Sequence, residues 1–169
     1  MIISGNVIAH KVVVDGVEID DNVSCQLPSI ENQTAELKGA GIMGSIDLPS
    51  TGQIGPMTFA MSSRSINKKS SQLAKPGIQN IELRFVKDTL NADGQKVPEG
   101  TKVYISGIIK KIDPGKVESA ATNDSSHEFE VLRYRQVIEG VEILLIDKRS
   151  YIYKVNGVDY MKKIRQTLG

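Results

Sequence analysis

The run Glu128-Phe129-Glu130-Val131-Leu132-Arg133-Tyr134-Arg135-Gln136-Val137-Ile138 meets Glu139-Gly140 and returns as Val141-Glu142-Ile143-Leu144-Leu145-Ile146-Asp147. Two β-rich runs joined by a two-residue turn ending in glycine predict a β-hairpin, because the tight turn needs positive φ at its centre. The first strand changes phase: Phe129 and Val131 share one parity, Leu132 and Tyr134 the other, and Arg133, Arg135 and Gln136 occupy its centre. A buried face that switches midway predicts a bulge, or passage from the chain's own core into a different environment. At ~11 residues the strand is about twice the usual length. It is therefore expected to outrun its domain.

Working outward, the same punctuation recurs. Val7 to Val14, then Asp15-Gly16, then Val17-Glu18-Ile19 predicts a first hairpin, and Val23 to Leu27 a further strand that stops at Pro28. Met57 to Arg64 reads as a strand, Ser65 to Ala74 as one short helix with Ser65 as N-cap and Lys75-Pro76-Gly77 as its stop. Residues 79 to 88 alternate Ile81, Leu83 and Phe85 with Glu82 and Arg84, which predicts a strand with one buried face. Turns are expected at Asn91 to Gly94 and again at Val97-Pro98-Glu99-Gly100, followed by a strand from Lys102 to Ile112. After Asp113-Pro114-Gly115 the stretch Lys116 to Ser126 is small and polar, a loop. Tyr151 to Val155 supplies a last strand, and Asn156-Gly157 is expected to lead into a C-terminal helix from Val158 to Thr167. Fold class follows: mainly β, a sandwich or barrel with long hairpins, plus one short flanking helix and a C-terminal helix, in a single domain spanning 1–169.

Residues 29–55 break this pattern. Gly39, Gly41, Gly44, Gly52 and Gly55 with Pro49 predict an irregular extended arm, yet it carries Leu37, Ile42, Met43, Ile46, Leu48 and Ile54. That much apolar surface requires a cover. Either its own domain or a neighbouring subunit provides it.

Composition narrows the function. Lys and Arg total 21 against 20 Asp and Glu, a net charge of +1, so no bulk field draws in nucleic acid or acidic lipid. One cysteine, Cys25, excludes an internal disulfide, and His10 and His127 alone make no metal cluster of the usual spacing. No run approaches the ~18 apolar residues of a membrane span, and the N-terminal stretch lacks a charged region followed by an apolar one, so the expectation is a chain made and kept soluble in a cytoplasm, without membrane insertion. The aromatic fraction is 5 % and Trp is absent, so Val, Ile and Leu must build the core, which favours sheet.

Catalytic chemistry finds no constellation of base, nucleophile and oxyanion donor. His10 falls among Ile8, Val12 and Val13 and reads as structural; His127, beside the Ser-rich loop, reads as a solvent residue; Cys25 reads as a small buried hydrophobe. The spacing Gly39-Ala40-Gly41-Ile42-Met43-Gly44 matches a dinucleotide fingerprint but lacks its flanking strand and helix. The chain is expected to be no enzyme, with no catalytic residue, cofactor or metal.

Two blocks carry a resemblance. Leu27-Pro28-Ser29-Ile30 with Glu36-Leu37-Lys38-Gly39-Ala40-Gly41-Ile42-Met43-Gly44-Ser45, and the ending Lys154-Val155-Asn156-Gly157-Val158-Asp159 with its basic helix, together resemble the major tail tube proteins of contractile-tailed phages and R-type bacteriocins. The resemblance implies a tail-tube fold whose copies form hexameric rings that stack into a hollow inner tube, a conduit for DNA or ions. It implies as partners the chain itself, a tail sheath protein, baseplate or tube-initiator and tape-measure proteins, and DNA only in transit. It places the protein in a virion tail or phage-tail-like particle assembled in the bacterial host cytoplasm. Contacts between subunits or rings are expected at Leu37, Gly39, Gly41, Ile42, Met43, Gly44, Ile46 and Leu48, and a sheath-facing surface at Lys68, Lys69 and Lys75. Two other readings stand beside it: the tube of a secretion or injection machine, and a monomeric β-barrel that binds a small ligand.

Overall fold

A computed structural model describes residues 1–169. Twelve strands and two short helices follow one another as β1 (Ile3–Val14), β2 (Val17–Glu18), β3 (Asn22–Gln26), β4 (Asn32–Lys38), β5 (Ser45–Ile54), β6 (Thr58–Ser63), α1 (Lys68–Ser71), β7 (Ile78–Leu90), β8 (Lys96–Asp113), β9 (Ser125–Ile138), β10 (Val141–Asp147), β11 (Ile152–Val155), β12 (Val158–Asp159) and α2 (Lys162–Leu168). The mainly β expectation holds. The barrel does not form within one chain, because the main sheet runs β12-β11-β10-β9-β8-β7-β1-β2 and ends on two separate edges.

Strand β9 organises the molecule. On one side it pairs with β8 along nearly its whole length; on the other, Ser125–Glu130 pairs with β6 and Arg133–Ile138 with β10. The sheet therefore branches, and its β6-β3 limb folds over the β1-β7-β8 face. The register against β8 slips between Arg133 and Val131, so Leu132 forms a bulge at the branch point. This bulge is the phase change read in the sequence: Phe129 and Val131 are buried before it, Tyr134 after it. Between the layers lies one core, built from Val12, Val14, Ile81, Leu83, Val103, Ile105, Phe59, Met61, Phe129, Val131 and Ile146 among others.

Turn chemistry sets the hairpins. Asp15-Gly16, Glu139-Gly140 and Asn156-Gly157 all have both residues at positive φ, the geometry whose twist matches that of the flanking strands. At Asn156-Gly157 this overturns the expected helix start: a turn of that type returns the chain as strand β12, and α2 begins only at Lys162. Three further expectations need correction. Val97-Pro98-Glu99-Gly100 is not a turn but the start of β8, where Pro98 stands opposite Asp88; β9 pairs with β8 only from Thr101 onward, so the missing proline N–H falls on an open edge. The short helix is capped by Asn67, not Ser65: Asn67 Oδ1 accepts from Ser70 N–H at 2.8 Å while Ser70 Oγ accepts from Asn67 N–H at 3.0 Å. Ser65 would need Lys68 as the reciprocal acceptor, which an ammonium cannot be. The third concerns His127.

His127 is buried in β9, 4 % exposed, opposite Met61 and beside the buried Ser63 and Ser125, with Nδ1 unbonded. It shares the inward parity of Phe129 and Val131, which overrides the polar loop next to it. Burial penalises the imidazolium and lowers its pKa. The unfolded chain, titrating near ~6.5, then binds the proton more readily, so stability falls as pH drops below about 6.5 and levels off under the lowered native value. Melting scans between pH 7.5 and 5.5 are expected to show this fall, and a His127→Gln variant a shallower one; identical slopes would contradict it.

Candidate assembly surfaces

The arm is a regular structure. The irregular loop expected over 29–55 is a two-stranded antiparallel hairpin, β4 with β5, which pairs with no other strand of the chain. Its register sets Leu37 opposite Ile46 and Ala35 opposite Leu48, which puts these four on one face, while Glu36, Lys38, Ser45 and Asp47 share the other. Gly39 to Gly44 form its tip, with Gly39, Gly41 and Gly44 at positive φ and Met43 wholly exposed. An isolated two-stranded hairpin is marginal in water. Here Leu37, Ile46 and Leu48 remain exposed.

The arm's base, by contrast, is fixed. Gly52 has φ +71°, and a Cβ on it would lie 2.5 Å from Met161 Cε, so the C-terminal segment closes directly on the arm backbone. Lys148 Nζ donates to the Gly55 carbonyl at 2.7 Å and Gly55 N–H to the Glu31 carbonyl. Met161 itself is held by its N–H bond to Asp159, which is paired with Arg165; that guanidinium keeps the Asp159 carboxyl below its ordinary range.

A second surface is the face of the main sheet turned away from the core. Because β-strand side chains alternate, Lys11, Glu82, Arg84, Lys102, Tyr104, Arg133, Arg135, Glu142 and Asp147 all emerge there. Its carboxylates are partnered: Glu82 with Arg84 at 2.6 Å, Glu142 with Arg135 at 2.7 Å, Asp147 with Arg133 at 3.7 Å. Arg135 also lies 5.3 Å over the Tyr104 ring. Two long hairpins, β7–β8 and β9–β10, extend this face, and the β9–β10 turn is fastened to β8 where Glu139 N–H donates to the Gly100 carbonyl.

Comparison with known proteins then decides the family: a model described as phage tail tube protein FII matches residues 6–169. The chain belongs to that family. A curated member, the tail tube protein of Escherichia phage P2, is 26 % identical over 149 residues, 86 % of each chain. In fold, the chain is similar to the sheath/tube terminator of the PVC extracellular contractile injection system in its extended state, with a TM-score of 0.53 and 13 % identity over 77 % of this chain and 94 % of that one. The sheath-tube complex of the same system gives 0.51 and 13 % over 76 % and 87 %. Tail tube proteins are structural, not enzymatic.

The remaining sequence candidates fall as follows. Leu37, Ile46 and Leu48 come together on the arm face, while Gly39, Gly41, Ile42, Met43 and Gly44 gather at its tip. Lys68, Lys69 and Lys75 are all exposed around α1, but Lys69 is bound to Asp20 at 2.7 Å, leaving Lys68 and Lys75 without an acidic partner. His10 is exposed, not core, and bonds Asn22 Oδ1 at 2.8 Å. Cys25 is half-buried, and burial pushes its thiol up to about 12, against the smaller opposing effect of its hydrogen bond to Asn22 Oδ1, so it is no nucleophile. The paired charges of the outer sheet face are the candidates that single-strand patterns do not reveal. Each strand shows only alternating parity; the pairing across strands appears only with the register.

Proposed function

We propose that copies of this chain close into hexameric rings that stack into the inner tube of a contractile phage tail or phage-tail-like particle, a conduit for DNA or ions. The observation that carries this reading is the open sheet at the hairpin ends: Lys96–Glu99 of β8 and Val141–Glu142 of β10 pair on one side only, as does β1 from Ile3 to Lys11 beside β7. An exposed edge in a soluble monomer invites uncontrolled pairing; in a closed ring, neighbours satisfy it. The outer sheet face then lines the lumen. With its carboxylates neutralised by arginines, that wall neither repels a polyanion strongly nor traps it through many free cations.

The sheath grips the opposite surface, with Lys68 and Lys75 available to it, and baseplate, tube-initiator and tape-measure proteins meet the tube ends. The amphipathic arm, through Leu37, Ile46 and Leu48 and its tip, makes contacts between subunits or rings. Assembly takes place in the host cytoplasm. Likeness to the phage P2 protein over most of both chains favours a tail over a secretion tube. Electron microscopy of the purified chain is expected to show hollow tubes or rings. A stable monomer with saturable small-ligand binding would refute the reading.

A further inference from the structure

The two lateral sides of the molecule differ in kind. On one, both layers end in unpaired edges: β1 between Ile3 and Lys11 has only β7 beside it, and β3 has only β6. Between these edges opens an apolar cleft of about 380 Å³ lined by Val7, His10, Val23, Cys25, Leu27 and Phe85, with Leu83 among its walls. Val7 and Val23 are 52 % and 53 % exposed, and the His10–Asn22 hydrogen bond ties the two layers together beside it. The opposite side carries β11, β12 and α2, and there the arm is rooted, clamped between Gly52 and Met161.

We infer that the cleft between β1 and β3 is the socket for the arm of the neighbouring copy in the same ring. This rests on the ring reading above. The arm is rooted at the far end of the sheet order from β1, whereas a closed ring of head-to-tail contacts brings the arm side of each copy to the cleft side of the next. The chemistry selects which face of the arm enters. No side chain lining the cleft is a carboxylate, lysine or arginine, so Asp47 and the Glu36–Lys38 ion pair would lose hydration there with no partner from the walls. Ala35, Leu37, Ile46 and Leu48 lose nothing by entering and cover Val7 and Val23. One contact thus accounts for two uncovered apolar surfaces.

Cross-linking of assembled tubes tests the socket. In a Cys25→Ser background, Val23→Cys with Leu48→Cys, oxidised after assembly, is expected to give a covalent ladder that stops at the copy number of one ring. Val117→Cys in place of Val23→Cys, on the exposed loop after Gly115, is expected to give none. Micrograph-verified tubes without a ladder overturn the socket, as does a ladder that continues past one ring, which would send the arm to the ring above. If the double variant does not assemble, tubes are made from Cys25→Ser chains mixed with the two single-cysteine variants in that same background. A disulfide-linked pair supports the socket and its absence refutes it. Failure of the unmodified chain to form rings or tubes refutes the ring reading itself.

Discussion

Leu37→Asp with Leu48→Asp is expected to abolish tube formation while leaving the subunit folded. Both side chains are exposed in the free chain, at 39 % and 51 %, and neither belongs to the core cluster. Exposed substitutions ordinarily change stability by under about 0.5 kcal/mol. The lost cross-strand packing against Ile46 and Ala35 costs about 0.2–1 kcal/mol per pair and weakens only the arm. In the proposed contact between copies the same aspartates would enter an apolar surface as unpaired charges, at several kcal/mol per ion, repeated at every subunit. Circular dichroism and a melting temperature close to wild type, with tubes absent from micrographs, are the expected results. Tubes at wild-type yield would remove the arm from the assembly interface.

The second large effect is expected inside the subunit. Phe129 is fully buried on β9, directly opposite Phe59 of the neighbouring β6 with ring centroids 6.3 Å apart, so it fills the core where the sheet branches. Phe129→Ala is expected to cost about 3–5 kcal/mol, combining lost transfer energy with the cavity left behind. Against a typical domain stability of about 5–15 kcal/mol that leaves little margin. With a urea slope of about 1–3 kcal/mol per molar, the unfolding midpoint should fall by roughly 2 M. A shift of a few tenths would show that the core is held chiefly by its other members.

What could be read in advance follows physical range. The turns Asp15-Gly16 and Glu139-Gly140 were legible because two residues with positive φ fix a hairpin locally, and the phase change at Leu132 marked the bulge without any partner strand in view. The pairing of β1 with β7 was not, since residues some seventy positions apart meet only through the fold. Pro98 hid the beginning of β8, because a proline within a strand is tolerated only at an open edge, and openness belongs to the whole sheet. The arm concealed its strands behind Asn32-Gln33-Thr34 and scattered glycines, although Ala35 and Leu37 alternate with Glu36, and Ile46 and Leu48 with Asp47. That alternation has no single-chain core to point to. The arm residues were therefore legible as apolar and in need of cover, while the charged outer face of the main sheet was not legible at all before its register.

The branching of β9 has a mechanical consequence. Paired with β8 nearly throughout, β9 holds the β6-β3 limb on its other side over its first half and β10 over its second. A displacement of the β6-β3 limb therefore reaches β10 through the backbone of a single strand, with the Leu132 bulge as the one place between them where the ladder can give.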